Sequence, residues 1–281
     1  MKTVLTIAGY DPSSGAGVTA DLMVFAAHGL FGTSCITALT VQSTLGVQST
    51  HPVESNVVRE TLGWLDQDLR PAGVKIGMVG NASTCLEIGK YVETFNPSYP
   101  FDSACVPGPV VLDPVVRSSS GLELLDVPGA TALREHLLPV VSWITPNLEE
   151  LALLSGKVVQ ESGDIPAACC SLQEATERKG NGGALGIFAK GGHLDKPDDY
   201  LLTPGGDGYW LPGERVTTKA THGTGCALSS AFLSELVLGR EPFEAARRAK
   251  AYVADALKNN RLIGSGVRSM NHLWNLAKVI D

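Results

Sequence analysis

The stretch VLTIAGYDPSSGAGVTADLMVFAAH, residues 4–28, decides the fold. Residues 4–8 are a short apolar run that stops at Gly9, the pattern of a buried strand. A glycine- and serine-bearing loop, 9–17, follows. Residues 18–28 then read as a helix with Gly29 as its stop. The same strand–loop–helix order recurs downstream. Strands are expected over 34–41, 74–79, 110–115, 140–145 and 184–189. Helices are expected over 52–69, 82–95, 130–138, 148–154, 165–179, 226–238 and 242–259. Residues 200–218 alternate short β segments with glycine turns and suggest a hairpin. The stretch 97–109, rich in proline and small residues, reads as a surface excursion. Strands alternating with helices imply an α/β fold, a central, mostly parallel sheet with helices on both faces. No internal repeat, low-complexity tract or linker divides the chain, so one domain over 1–281 is expected.

Composition narrows the function classes. A chain of 281 residues that is 44% apolar can bury a substantial core. The net charge of −7 makes nucleic acid a poor partner. No apolar run reaches the length of a membrane span, and the N-terminus lacks the apolar run of a signal peptide. The six cysteines (Cys35, Cys85, Cys105, Cys169, Cys170 and Cys226) show no CxxC or zinc spacing. A reducing, cytoplasmic setting fits them.

In open α/β sheets, ligands bind outside the carboxyl ends of the strands. The loop at 9–17, Gln42, Asp113, Asn147, Lys190 and the turn at 221–226 all fall there. The turn Thr221-His222-Gly223-Thr224-Gly225-Cys226 runs straight into an apolar helix. Unpaired N–H groups and the positive dipole end of a first helical turn attract anions. Gly223 and Gly225 would let those amides approach a phosphoryl group, with Thr224 between them. Cys226 sits where a helix start favours the thiolate. The plainer alternative is a glycine turn capping a core helix.

Asp21 and Gln42 offer a carboxylate and an amide, which suit the edge of a heteroaromatic ring bearing an amino group. Gly9 and Ala16 belong to a loop that could wrap a small ligand. The alternatives are a solvated helix carboxylate, a loop glutamine and an ordinary βα turn. Asp113 is either paired or functional. Asn147 with Glu150 has the form of a capping box, or else Glu150, with Asp113, faces Mg²⁺ through water. Lys190 either neutralises phosphate charge or merely leaves a strand for a loop. His193 and His222 are candidates for hydrogen-bonding support of the site, not for a base.

These motifs stand in an order that resembles the hydroxymethylpyrimidine kinase / hydroxymethylpyrimidine phosphate kinase family of thiamin biosynthesis. The matching stretches are residues 6–22, 36–44, 74–80, 110–116, 144–151, 189–195 and 221–231. The resemblance implies a ribokinase-like fold, two successive ATP-dependent phosphorylations, Mg²⁺ and a homodimer. It places Gly9, Ala16, Asp21 and Gln42 at the pyrimidine. It places Lys190 near the ATP phosphates and Asn147 with Glu150 in an NxxE magnesium motif; Thr224 and Asn147 are further candidates for binding the phosphates. Gly223, Gly225 and Cys226 fall at the anion hole, with Cys226 standing where many such enzymes carry a catalytic aspartate. Tyr10 and Ser119 depart from the family pattern, which usually has serine or threonine at the first and lysine at the second. A vitamin B6 kinase, or a pyrimidine-binding regulator without turnover, are the competing functions.

Overall fold

Three consecutive strands show how one sequence pattern makes two layers. In β1 (Thr3–Tyr10), Leu5 and Ile7 enter one core while Val4 enters the other. In β4 (Val74–Ile76) and β5 (Val110–Leu112), the outer residues join the first core, and Val111 joins the second. Side chains alternate across a strand, so a strand with apolar residues on both faces must be covered twice. Helices α2 (Ser55–Asp68), α3 (Ala82–Thr94), α4 (Val127–Ala132), α5 (Leu148–Ser155) and α6 (Ile165–Ala175) cover the first face. Helices α1 (Gly17–Ala27), α7 (Thr224–Val237) and α8 (Pro242–Lys258) cover the second. The structure, a computed structural model, describes residues 1–95, 108–118, 121–176, 184–192, 194, 196–218, 220, 222–260 and 262–276.

The other strands are β2 (Phe31–Ser43), β3 (Gly46–Pro52), β6 (Trp143–Ile144), β7 (Gly186–Ala189), β8 (Asp199–Leu202) and β9 (Gly208–Leu211). Among the described residues they form one sheet in the order β3-β2-β1-β4-β5-β6-β7-β8-β9. The centre, β2 to β7, is parallel, and β3, β8 and β9 add antiparallel edges. The α/β architecture expected from the alternating pattern is therefore the one observed.

Two local expectations change. β2 runs on to Ser43 and turns back through β3, an antiparallel partner that the polar run around residue 50 concealed. The helix expected from 52 begins at Ser55, because Pro52 closes β3. No described helix is long and apolar enough to cross a membrane.

Candidate active site

The strand ends and the start of α7 meet at one edge of the sheet. Helix α7 opens at Gly223, whose φ of +78° is one that side-chain-bearing residues rarely adopt. A Cβ there would lie 1.8 Å from the Gly15 carbonyl oxygen, so the turn and the 9–17 loop touch backbone to backbone. Beyond the ends of β5 and β7, the Lys190 ammonium donates to Asp113 Oδ1 at 2.7 Å. A Cβ on Gly225 would stand 3.2 Å from Lys190 Nζ and 3.6 Å from Asp113 Oδ2. The first turn of α7 thus faces this ion pair with only hydrogen between them.

Glu150 adds a second carboxylate, 3.9 Å from Lys190 Nζ. It also closes a capping box: the Asn147 N–H donates to Glu150 Oε2 at 2.8 Å, and the Glu150 N–H donates to Asn147 Oδ1 at 2.9 Å. The capping and the functional readings of this pair are therefore compatible. Burial pushes Glu150 up to about 7, against the pull of Lys190 and with the push of Asp113. Lys190 is pulled down by burial, but its two carboxylates more than offset this and hold it charged. A pocket lined by Val116, Arg117, Asn147, Glu149, Glu150 and Leu153 opens beside them.

Mg²⁺ keeps several waters and takes one or two carboxylates plus phosphate oxygens. No cage of three or more ligating side chains occurs among the described residues. A divalent cation beside Glu150 would favour the charged form that burial opposes. Glu150 and Asp113 have the hard oxygen chemistry that Mg²⁺ takes, and both stand beside one ammonium.

At the other end, Gln42 near the end of β2 reaches His222, their Nε2 atoms 3.0 Å apart. His222 Nε2 also lies 2.8 Å from Asp11 Oδ2. Asp11 in turn accepts from the Ser13 N–H and hydroxyl and from the Ala16 N–H, and so shapes the loop. Burial opposes its charge, but these bonds from His222 and Ser13 prevail and hold Asp11 below the usual carboxylate range. A Cβ on Gly9 would meet Met78 Sδ at 2.9 Å, so that sulfur closes over the loop.

Beneath the site lies a fully buried ion pair. Lys75 Nζ donates to Asp21 Oδ2 at 2.8 Å, and neither side chain is exposed. Thr6 donates to the same oxygen at 2.6 Å and Ser230 donates to the other at 2.7 Å. With three of its four acceptor positions taken and the side chain sealed, Asp21 presents no exposed oxygen to a ring. Its carboxylate joins β1, α1, β4 and α7 instead, and the ring-edge role expected for it is replaced by support. Lys75 stays charged because Asp21 and Asp113 outweigh the burial that opposes it.

Cys226 requires a second correction. Burial pushes its thiol up to about 11, and the neighbouring Asp113 and Asp21 add to this. Lys75 pulls the other way without offsetting these, which favours the thiol over the thiolate expected at a helix start. Sequence reasoning passed over Lys75 and Asp11. The one signal for Lys75 was a lone cation between apolar strand residues. His193, Thr221, Ser119, Cys105 and most of the 97–109 excursion lie outside the described residues.

The phosphomethylpyrimidine kinase family model matches residues 11–271. The chain is 38% identical to the hydroxymethylpyrimidine/phosphomethylpyrimidine kinase of Haemophilus influenzae over 99% of each chain. It resembles the structure of phosphomethylpyrimidine kinase from Clostridium difficile 630, with a TM-score of 0.76, 33% identity and coverage of 91% of this chain and 99% of that one. It also resembles pyridoxal kinase from Staphylococcus aureus in complex with AMP-PCP, with a TM-score of 0.83, 29% identity and coverage of 97% and 94%. With a match across nearly its whole length and the site at the strand ends that such an enzyme needs, the chain belongs to the phosphomethylpyrimidine kinase family.

Proposed function

We propose that this single-domain kinase transfers the γ-phosphoryl group of ATP to the hydroxymethyl oxygen of 4-amino-5-hydroxymethyl-2-methylpyrimidine, then a second one to the monophosphate. Both steps belong to thiamin biosynthesis in the cytoplasm. The observation that carries this reading is the first turn of α7, side-chain-free at Gly225, set against the Asp113–Lys190 pair. Amide groups from Gly223 to Cys226 would donate to the migrating group, where charge spreads over its oxygens. Lys190, Asn147 and Thr224 would hold the nucleotide phosphates. Glu150 and Asp113 would hold Mg²⁺, which would supply positive charge against the phosphates.

Gln42, with Gly9 and Ala16 along the loop, would fix the pyrimidine. Holding acceptor and donor in line is most of the catalysis in a loose phosphoryl transfer. A protonated Cys226 suits that account, contributing its backbone N–H and filling the pocket wall. A homodimer is part of the same reading.

Vitamin B6 phosphorylation is the second reading, favoured by the likeness to pyridoxal kinase. One assay decides between them. The purified protein, ATP and Mg²⁺ are incubated with the hydroxymethylpyrimidine or with pyridoxal, and mono- and diphosphate products are resolved. Higher kcat/KM on the pyrimidine, with diphosphate formed, is expected. Preference for pyridoxal would reverse the assignment.

A further inference from the structure

The hydrogen bonds around Gln42 constrain which way its amide points. His222 Nε2 is 3.0 Å from the Gln42 amide nitrogen and 2.8 Å from Asp11 Oδ2. Thr40 Oγ1 is 3.2 Å from the other end of the same amide and 2.9 Å from the Tyr10 carbonyl oxygen. Asp11 is held ionised by its hydrogen bonds, so it can only accept. The imidazole nitrogen facing it therefore carries a proton, whatever the charge on the ring. That nitrogen cannot also accept from an amide NH₂. Thr40 has one hydroxyl proton, and the Tyr10 carbonyl can only accept it. Thr40 is left to accept from the amide, not to donate to it.

The two ends of an amide have the same shape, and their partners decide which is which. Both conflicts disappear in a single orientation, with the Gln42 carbonyl toward His222 and its NH₂ toward Thr40. The His222 N–H is then shared between Asp11 and Gln42, and every group in the chain has a partner of the right kind.

We propose that Asp11, His222 and Thr40 lock the Gln42 amide in this orientation, and that the lock makes the enzyme choose an aminopyrimidine over the oxo-pyrimidine of the same shape. This rests on the reading of Gln42 as a ring ligand. An aminopyrimidine edge offers an exocyclic donor beside a ring-nitrogen acceptor. The oxo ring offers the reverse, a carbonyl acceptor beside a ring N–H. An amide free to turn over pairs with either edge. A fixed one pairs with its own edge and sets donor against donor on the other, and such buried mismatches discriminate strongly. Asp11, His222 and Thr40 are thus positioning residues that act through Gln42. Their geometry is inherited from the strand ends: Thr40 and Gln42 lie two apart on β2 and share a face of the sheet.

The test compares kcat/KM for 4-amino-5-hydroxymethyl-2-methylpyrimidine and for its 4-oxo analogue. It uses the wild-type enzyme and the variants Thr40→Val, His222→Ala and Gln42→Ala. The wild type is expected to favour the amino ring by about a hundredfold or more. Thr40→Val and His222→Ala should reduce that preference by at least about tenfold, with kcat/KM on the oxo ring rising in absolute terms. A merely damaged pocket would lower both substrates together. Parallel loss on both rings in both variants would overturn the lock. Unchanged preference in Gln42→Ala would remove Gln42 as a ring ligand, and the lock with it. A changed preference in Gln42→Ala alone would overturn the lock and leave the ring contact standing. Thr40→Val is nearly isosteric and removes one hydroxyl, so it decides the matter even if His222→Ala does not fold.

Discussion

Lys75 donates to Asp21 across 2.8 Å with both side chains sealed from solvent. A buried pair of this kind adds little net stability over an apolar one, but losing one partner strands the other charge. Lys75→Met should therefore destabilise the protein by about 3–5 kcal/mol, and Asp21→Asn by a similar order. The double variant Asp21→Asn/Lys75→Met should recover much of the loss. Urea unfolding of the four proteins measures the coupling directly. Additive losses would show that the two charges do not depend on each other.

Two glycines in one turn should behave differently. Gly223 has a positive φ, and a Cβ would run into the Gly15 carbonyl at 1.8 Å. Gly223→Ala should lower the melting temperature by several degrees as well as the activity, because the backbone itself must move. Gly225 is helical, and a Cβ would stand 3.2 Å from the end of the Lys190 side chain. Gly225→Ala should leave the melting temperature within about 2 °C, since alanine suits a helix. Its methyl group would occupy the space proposed for phosphate, and kcat/KM for ATP should fall by about a hundredfold. Thermal melts and steady-state kinetics on both variants separate the two effects.

How far these residues could be read from sequence follows from the range of the interactions. The strand–loop–helix order was legible because each segment's apolar pattern is local. The site's location was legible too, because the rule that ligands gather at strand ends needs only the element order. The roles of Asp21 and Lys75 were not, since they depend on Thr6 and Ser230 arriving from two other elements. Cys226 misled for the same reason. A helix start favours a thiolate, but the carboxylates that oppose it, Asp113 and Asp21, stand on other elements. β3 was hidden because its partner, β2, supplies the hydrogen bonds that its own polar sequence does not advertise.

Burial gives the fold an alkaline weakness. Cys35, Cys85 and Cys169 are each pushed up to about 12 by burial. Their unfolded-state value is 9.0. Between those limits the folded chain holds protons that the unfolded chain releases. Their contribution is intact below pH 9 and is lost as pH rises through 12. Each thiol withdraws on the order of a few kcal/mol across that window. Melting temperature should be nearly flat up to about pH 8.5 and fall steeply above it, and Cys35→Ala should make the fall shallower. Scanning calorimetry from pH 7 to 11 follows both.

Glu150 should reveal its role through the metal requirement. Glutamine keeps an oxygen that can accept the Asn147 N–H, so the capping box survives in Glu150→Gln. The charge that would face Mg²⁺ does not survive. The Mg²⁺ concentration for half-maximal velocity should rise by about tenfold at saturating ATP and pyrimidine, with kcat at saturating metal reduced much less. The melting temperature in metal-free buffer should fall no further than in Asn147→Ala: the Val116 N–H loses its carboxylate acceptor, while Lys190 keeps Asp113 at 2.7 Å. Asn147→Ala provides the contrast: it removes the cap at a cost of about 1 kcal/mol and should lower the melting temperature. Metal titrations of velocity, run beside melts of the same preparations, tell a cation ligand from a helix cap. A Glu150→Gln enzyme with unchanged Mg²⁺ dependence and a lower melting temperature would leave this carboxylate only its capping role.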